Sequence, residues 1–285
     1  MEEYYFLFAL AGVWILFAAI QDLKKEEIAN WISYSLLAFA LGYRAFYSAA
    51  FNDWKFFAFG VLGFGVFYVL ANGFYYARIF GGGDARLLMA LGAVLPFESL
   101  YGMLLNGVGF LFVMFGVGGV YTLFYSIGIA CSNWSAFRAG FGNMMKKYKL
   151  LMLISPFIGL VFMALLWGLM GKIAFWFFVL FAIMPFLYAY LMTLEQCCML
   201  KLLSPDKLAE GDWLERDVVV RGKKIEKSVH GLSMKEIAML RKAHKKVWIK
   251  KGVPFAPSFL ITWMVMVFFY LVFQLDWVQV FSFLS

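Results

Sequence analysis

The sequence predicts an all-α polytopic membrane protein of six to eight transmembrane helices, with a small cytoplasmic α+β module. Three observations carry that prediction. Of the 285 residues, 64% are hydrophobic and only 15% are charged. Mean hydropathy is +0.80. Apolar runs of about 20 residues recur along the chain, the length a helix needs to cross roughly 30 Å of hydrocarbon. A soluble chain of this size cannot keep that much apolar surface from water.

Eight apolar segments occur in order, at about 4–20, 31–51, 56–77, 85–96, 100–130, 150–170, 172–194 and 256–281. The fourth is short. Twelve residues rise only about 18 Å as a helix, so it needs flanking residues to span. In the fifth, Gly107, Gly109, Gly116, Gly118 and Gly119 predict close packing against a neighbouring helix.

Charge sets the expected topology. With all eight segments crossing and 21–30 placed inside, the inner segments are 21–30, 78–86, 131–149 and 195–252. These hold 22 of the 25 Lys and Arg, leaving Arg44, Lys55 and Lys172 outside. That asymmetry follows the positive-inside rule and puts the N-terminus outside, in the plasma membrane of the cell. It also explains the net charge of +8 without a nucleic-acid partner, because the cations are not arranged as a footprint. Glu2 and Glu3 stand where a secretory signal carries positive charge, so the first segment is expected to be retained. Cys131, Cys197 and Cys198 form no CxxC pairs with histidine at ligand spacing, which argues against structural zinc and a disulfide framework.

Three parts are expected: a transmembrane catalytic domain at 1–194, a cytoplasmic soluble module at 195–252 and a C-terminal transmembrane helix at 253–285. Within the module, "DWLERDVVVRGKKIEKSV" alternates apolar and polar residues around Arg221-Gly222-Lys223 and predicts a β-hairpin. "SMKEIAMLRKAHKKV" places Ser233 and Glu236 at capping-box spacing and predicts a helix carrying Ile237, Met239 and Leu240 on one face. "GVPFAPSF" leads into the last segment. The 14 basic and 8 acidic residues of 195–252 suit contact with anionic lipid headgroups. "FRAGFGNMMKKYK" at 137–149 is expected to lie in the interface as a basic amphipathic helix. His230 and His244 read as ordinary surface residues.

Ionisable residues in or beside apolar segments are candidate functional groups. Asp53, Glu98 and Asp276 fall at outer ends and read as solvated. Asp22 and Asp84 lie at the cytoplasmic ends of the first and fourth segments, at similar depth. Two neighbouring carboxylates cannot both ionise easily and so share a proton. The protonated member can polarise a peptide carbonyl while the ionised one takes a proton from water. Gly81, Gly82 and Gly83, in "IFGGGDARLLMALG", lack Cβ and permit positive φ and the close approach of an extended peptide. The same residues also read as punctuation: glycines ending the third helix and Asp84 capping the fourth.

"Gly81-Gly82-Gly83-Asp84-Ala85-Arg86-Leu87-Leu88" resembles the GxGD motif of the type IV prepilin peptidases. "Asp22-Leu23-Lys24-Lys25-Glu26-Glu27-Ile28-Ala29-Asn30" resembles that family's first catalytic segment, an Asp followed six residues later by Ile-Pro-Asn, with Ala29 where Pro is usual. The resemblance covers about residues 1–100, and the paired-cysteine module of bacterial members is missing. That points towards archaeal preflagellin and prepilin peptidases, which have about six spans. N-methylation is not implied.

The resemblance implies that Asp22 and Asp84 are a catalytic pair and that Gly81 and Gly83 shape the approach of the substrate, with Gly82 in the same loop. Arg86 would hold Asp84 in register, and Asn30 belongs to the first motif as a supporting residue. The implied substrates are pilin-like or archaellin precursors with a short basic leader, cut at the inner membrane face using water, with no metal or organic cofactor. Glu26 and Glu27, about one turn beyond Asp22, would meet the basic leader. Two other classes fit the same residues: a secondary transporter with Asp22 and Asp84 as ion-coupling carboxylates, and a non-catalytic scaffold of pilus assembly.

Overall fold

A computed structural model describes residues 3–220, 222–228 and 231–273. Glu2, Arg221, His230, Asp276 and the end of the last apolar segment lie outside the described residues. The chain is mostly helical and divides by packing into two units, Met1–Leu123 with Gly252–Ser285, and Phe124–Lys251. The expected module at 195–252 falls almost wholly within the second unit, which also holds the apolar segments at 150–170 and 172–194.

The first unit begins with α1 (Glu3–Lys25), α2 (Asn30–Phe51) and α3 (Trp54–Tyr76), followed by the short α4 (Gly82–Gly92). The first part of α5 (Leu100–Ser132) and, after the chain returns, α10 (Ala256–Phe273) complete it. Helix α1 lies between α2 and α10, and α4 packs on both α2 and α3. A line of small and apolar side chains on α1, Leu7, Ala11, Ile15 and Ala18, is fully buried. Helix α10 is tied to α1 by the Trp263 indole, whose N–H donates to the Phe8 carbonyl at 3.1 Å.

Two features hold α4 in place. Gly63 of α3 and Gly92 of α4 meet with no room for a side chain on either: a Cβ on Gly92 would lie 2.6 Å from the Gly63 carbonyl oxygen. Backbones approach this closely only where both partners are small. At the far end of α4, the fully buried Arg44 of α2 donates to the carbonyls of Ala93 at 2.7 Å and Leu95 at 2.8 Å. It donates also to Phe56 at 2.7 Å, and its guanidinium stacks 4.4 Å from the Phe56 ring. The Ala93 and Leu95 carbonyls are ones that the end of α4 leaves without helical partners, and the planar fork of an arginine satisfies several acceptors at once.

The second unit contains α6 (Trp134–Lys147), α7 (Lys149–Met170) and α8 (Phe175–Cys197), with α7 and α8 forming its most extensive helix pair. Gly159 of α7 sits against Phe178 and Phe181 of α8. Among the described residues between α8 and α10 are five short strands and one α-helix. β1 (Leu200–Leu203), β5 (Val247–Lys250) and β2 (Trp213–Leu214) form an antiparallel sheet in that order, with Leu200 opposite Lys250 and Trp213 also opposite Lys250. β3 (Val218–Val220) pairs with β4 (Lys223–Ile225) as a hairpin. Helix α9 (Met234–Lys242) opens with a full capping box between Ser233 and Glu236. Ile237 and Leu240 of α9 pack with Leu214, Val220, Ile225, Val247 and Ile249 in a core of their own.

Among the described residues, four helical stretches are long and apolar enough to cross a membrane: Glu3–Lys25, Trp54–Tyr76, Leu100–Ser132 and Lys149–Cys197. The last comprises α7 and α8. Helix α2 falls short of that measure because it carries Ser33, Ser35, Arg44 and Ser48, and α4 has only 11 residues. The glycine-rich fifth segment packs closely at fewer places than its sequence predicts. Gly118 lies against the Phe255 ring and Gly107 against Phe67, whereas Gly116 and Gly119 face open space.

Candidate active site

Asp22 occupies the last turn of α1. The helix stops three residues later, where Glu26 takes a left-handed φ of 56° and its N–H donates to the Asp22 carbonyl at 2.7 Å. The chain then turns inward: Ile28 is buried, and the Ala29 N–H donates to the Gln21 side chain at 3.1 Å. Ala29, lacking a capping side chain, starts α2 at Asn30. The reversal is therefore made by a left-handed residue and a side-chain brace, without a proline. Glu27 and Asn30 are exposed, and Glu26 is half-buried.

Asp84 lies in the first turn of α4. Gly81 is the N-cap, in an extended conformation with φ −68°, and its N–H donates to the Asp84 carboxylate. Asp84 thus has the place of the acidic residue in a capping box, a site where an anion also meets the positive end of the helix. Two expectations are corrected here. The glycines do not end α3, whose C-cap is Ala77. Nor do they use positive φ: Gly81 is extended with negative φ, Gly82 and Gly83 open α4, and none is among the positive-φ glycines.

What the glycines provide is space. A Cβ on Gly83 would lie 2.9 Å from Cβ of Ile28, so the two motifs are in direct contact. Gly82 faces the Arg86 guanidinium and the Tyr75 ring. Beside it, between α2, α3 and α4, is a cavity of about 340 Å³ lined among others by Ser33, Tyr34, Asn72, Tyr75 and Arg86.

The contact of Ile28 with Gly83 joins the segments that carry the acidic residues. Asp22 is 5% exposed and Asp84 half-buried. Asp22 has a further partner that sequence spacing did not show. Its Oδ2 accepts the Ala256 N–H at 2.9 Å. This group opens α10, 234 residues away. The only sequence signal for it is the pair Pro254 and Pro257 around a helix start. Arg44, read from sequence as a leftover outer charge, is the other residue whose role only packing reveals.

Among the described residues, no group of three or more His, Cys, Asp and Glu side chains is arranged to hold a metal ion. His244 is exposed, in a left-handed conformation just after α9. Neither it nor any residue of the strands belongs to the unit that contains Asp22 and Asp84.

Fold and site together define a polytopic helical membrane protein in which the segments carrying two acidic helix ends meet at a glycine contact. Comparison with known proteins gives that class a family. Residues 9–163, more than half of the chain and including both acidic motifs, match the type IV leader peptidase family, and the chain belongs to it. It is also 34% identical over 89 residues to the preflagellin peptidase of Methanocaldococcus jannaschii, an alignment covering 31% of this chain and 38% of that relative. The chain thus spans well under half the length of the curated relative it matches. No solved structure matches.

Proposed function

We propose that the protein is an aspartic-type endopeptidase that removes leader peptides from type IV pilin-like or archaellin precursors, with Asp22 and Asp84 as its catalytic pair. The observation that supports this reading is the contact of Ile28 with Gly83, which joins the two motifs that carry the carboxylates. One carboxyl polarises the scissile carbonyl through its proton, and the other takes a proton from water as the water attacks. The tetrahedral intermediate then collapses as a proton passes to the leaving amine.

Gly82, at the edge of the cavity lined by Tyr34, Tyr75 and Arg86, is where an extended peptide backbone approaches. Gly81 holds Asp84 through its amide, Gly83 sets the register of the motifs, and Arg86 steadies the charge at Asp84. Glu26 and Glu27 receive the basic leader. The distribution of Lys and Arg supports an orientation with the carboxylates at the cytoplasmic face, where such leaders lie, and with the 195–252 segment facing anionic lipid headgroups.

The test is cleavage of a precursor peptide, spanning a basic leader and the start of its apolar helix, by purified protein in detergent. Asp22→Asn and Asp84→Asn are each expected to abolish cleavage while the protein remains folded. Persisting cleavage in either variant rejects the pair. Wild-type protein that cuts no leader peptide rejects the peptidase reading and leaves the transporter and scaffold classes.

A further inference from the structure

Asp22 is held from the far end of the chain. A carboxylate in the last turn of a helix sits at the helix's negative pole, an unfavourable place for an anion. In this protein the positive pole of another helix offsets it: the Ala256 N–H, which α10 cannot satisfy internally, donates to Asp22 Oδ2 at 2.9 Å. Pro254 and Pro257 stand on either side of Phe255 and this donor. Each ring fixes its own φ, and Pro257 has no N–H to compete. Ser258 closes the turn, its N–H and its hydroxyl both donating to the Phe255 carbonyl, at 2.9 Å and 2.6 Å.

The same turn reaches the other acidic motif through rings. The Phe255 ring fills the space left by Gly118 of α5 and stands 5.4 Å from the Phe80 ring. Phe80 also meets Phe259 at 6.0 Å. Phe80 immediately precedes Gly81, so the start of α10 touches the Asp84 segment by side chain while it holds Asp22 by backbone.

We propose that the Pro254–Ser258 turn positions the catalytic pair: the Ala256 amide fixes the Asp22 carboxylate, and the Phe255 ring fixes the Asp84 segment relative to it. This rests on Asp22 and Asp84 being the catalytic groups. Phe255 and Ala256 are positioning residues, acting through the pair without touching substrate. The consequence is that the last helix belongs to the working site, although both acidic motifs lie in the first third of the chain.

Ala256→Pro deletes one donor at a helix position that tolerates proline, whereas Ala256→Gly keeps it. In the leader-cleavage assay on the full-length protein, kcat of Ala256→Pro is expected to fall roughly tenfold to a hundredfold, the range for one hydrogen bond to a charged group, with KM unchanged. Ala256→Gly is expected to keep a kcat at least about fivefold above the proline variant. A proline variant within about twofold of wild type, or a glycine variant as impaired as the proline one, overturns the proposal. If Ala256→Pro is not recovered folded, Gly118→Ala decides, since its methyl group displaces the Phe255 ring: a fall in kcat at constant KM supports the proposal and an unchanged kcat overturns it. Asp22→Asn is run alongside. Cleavage lost there but retained in Ala256→Pro overturns the positioning role alone, whereas cleavage retained in Asp22→Asn overturns the catalytic pair and the positioning role with it.

Discussion

Gly83 and Ile28 touch so closely that the first carbon of any side chain on Gly83 would meet Cβ of Ile28 at 2.9 Å. This contact joins two segments that are 55 positions apart and carries Asp22 and Asp84 with them. Gly83→Ala is therefore expected to spread the motifs. Overpacking of this kind costs about 1–3 kcal/mol, and a misplacement of about 1 Å at a catalytic centre lowers rates by up to about a hundredfold. Leader cleavage should fall well beyond the loss of folded protein. Gly65→Ala, in open space on α3, should leave both cleavage and stability near wild type.

Arg44 governs stability more than chemistry. Its guanidinium serves the carbonyls of Phe56, Ala93 and Leu95 from a fully buried position. Arg44→Met leaves the Ala93 and Leu95 acceptors without that donor, and buried unsatisfied groups cost about 1–3 kcal/mol each. A drop of several degrees in the unfolding temperature in detergent is expected. Arg44→Lys should recover little of it, because an ammonium cannot reproduce the planar fork.

Charge reversal at Glu26 and Glu27 tests leader recognition. Both precede Ile28, Glu27 is exposed and Glu26 half-buried. Glu26→Lys with Glu27→Lys should raise KM for a basic leader by about threefold to tenfold, the scale of one or two partly solvated ion pairs. A neutral leader should show no such rise. Equal KM values for the basic leader in wild type and variant would remove the two glutamates from recognition.

The strand-rich segment offers an independent check of local structure. Ser233 accepts the Glu236 N–H while the Glu236 carboxylate accepts the Ser233 N–H. Ser233→Ala should destabilise α9 by about 1 kcal/mol, seen as faster hydrogen exchange at Met234–Lys242. Ser233→Asp, which can still cap, should exchange at near the wild-type rate.

By itself the sequence determined the features that short-range physics controls. Composition and apolar run length establish a helical membrane protein. Capping-box spacing locates α9, and alternation around Gly222 locates the β3–β4 hairpin, because caps and turns are set by neighbouring residues. Asp22, Asp84 and the three glycines could be singled out because acidic residues beside apolar runs are rare and their spacing resembles a known family's.

Tertiary structure decided what spacing cannot express. The glycines read as a site for positive φ, yet none uses it and Gly83 instead admits Ile28, a contact between helix ends that no local pattern encodes. Arg44 read as an outer charge, yet it ties off the end of α4 because folding brings Ala93 and Leu95 to α2. Asp22 read as half of a pair, yet an amide from the last helix holds it as well. Backbone N–H groups have no sequence signature, and only the fold determines which side chain they meet.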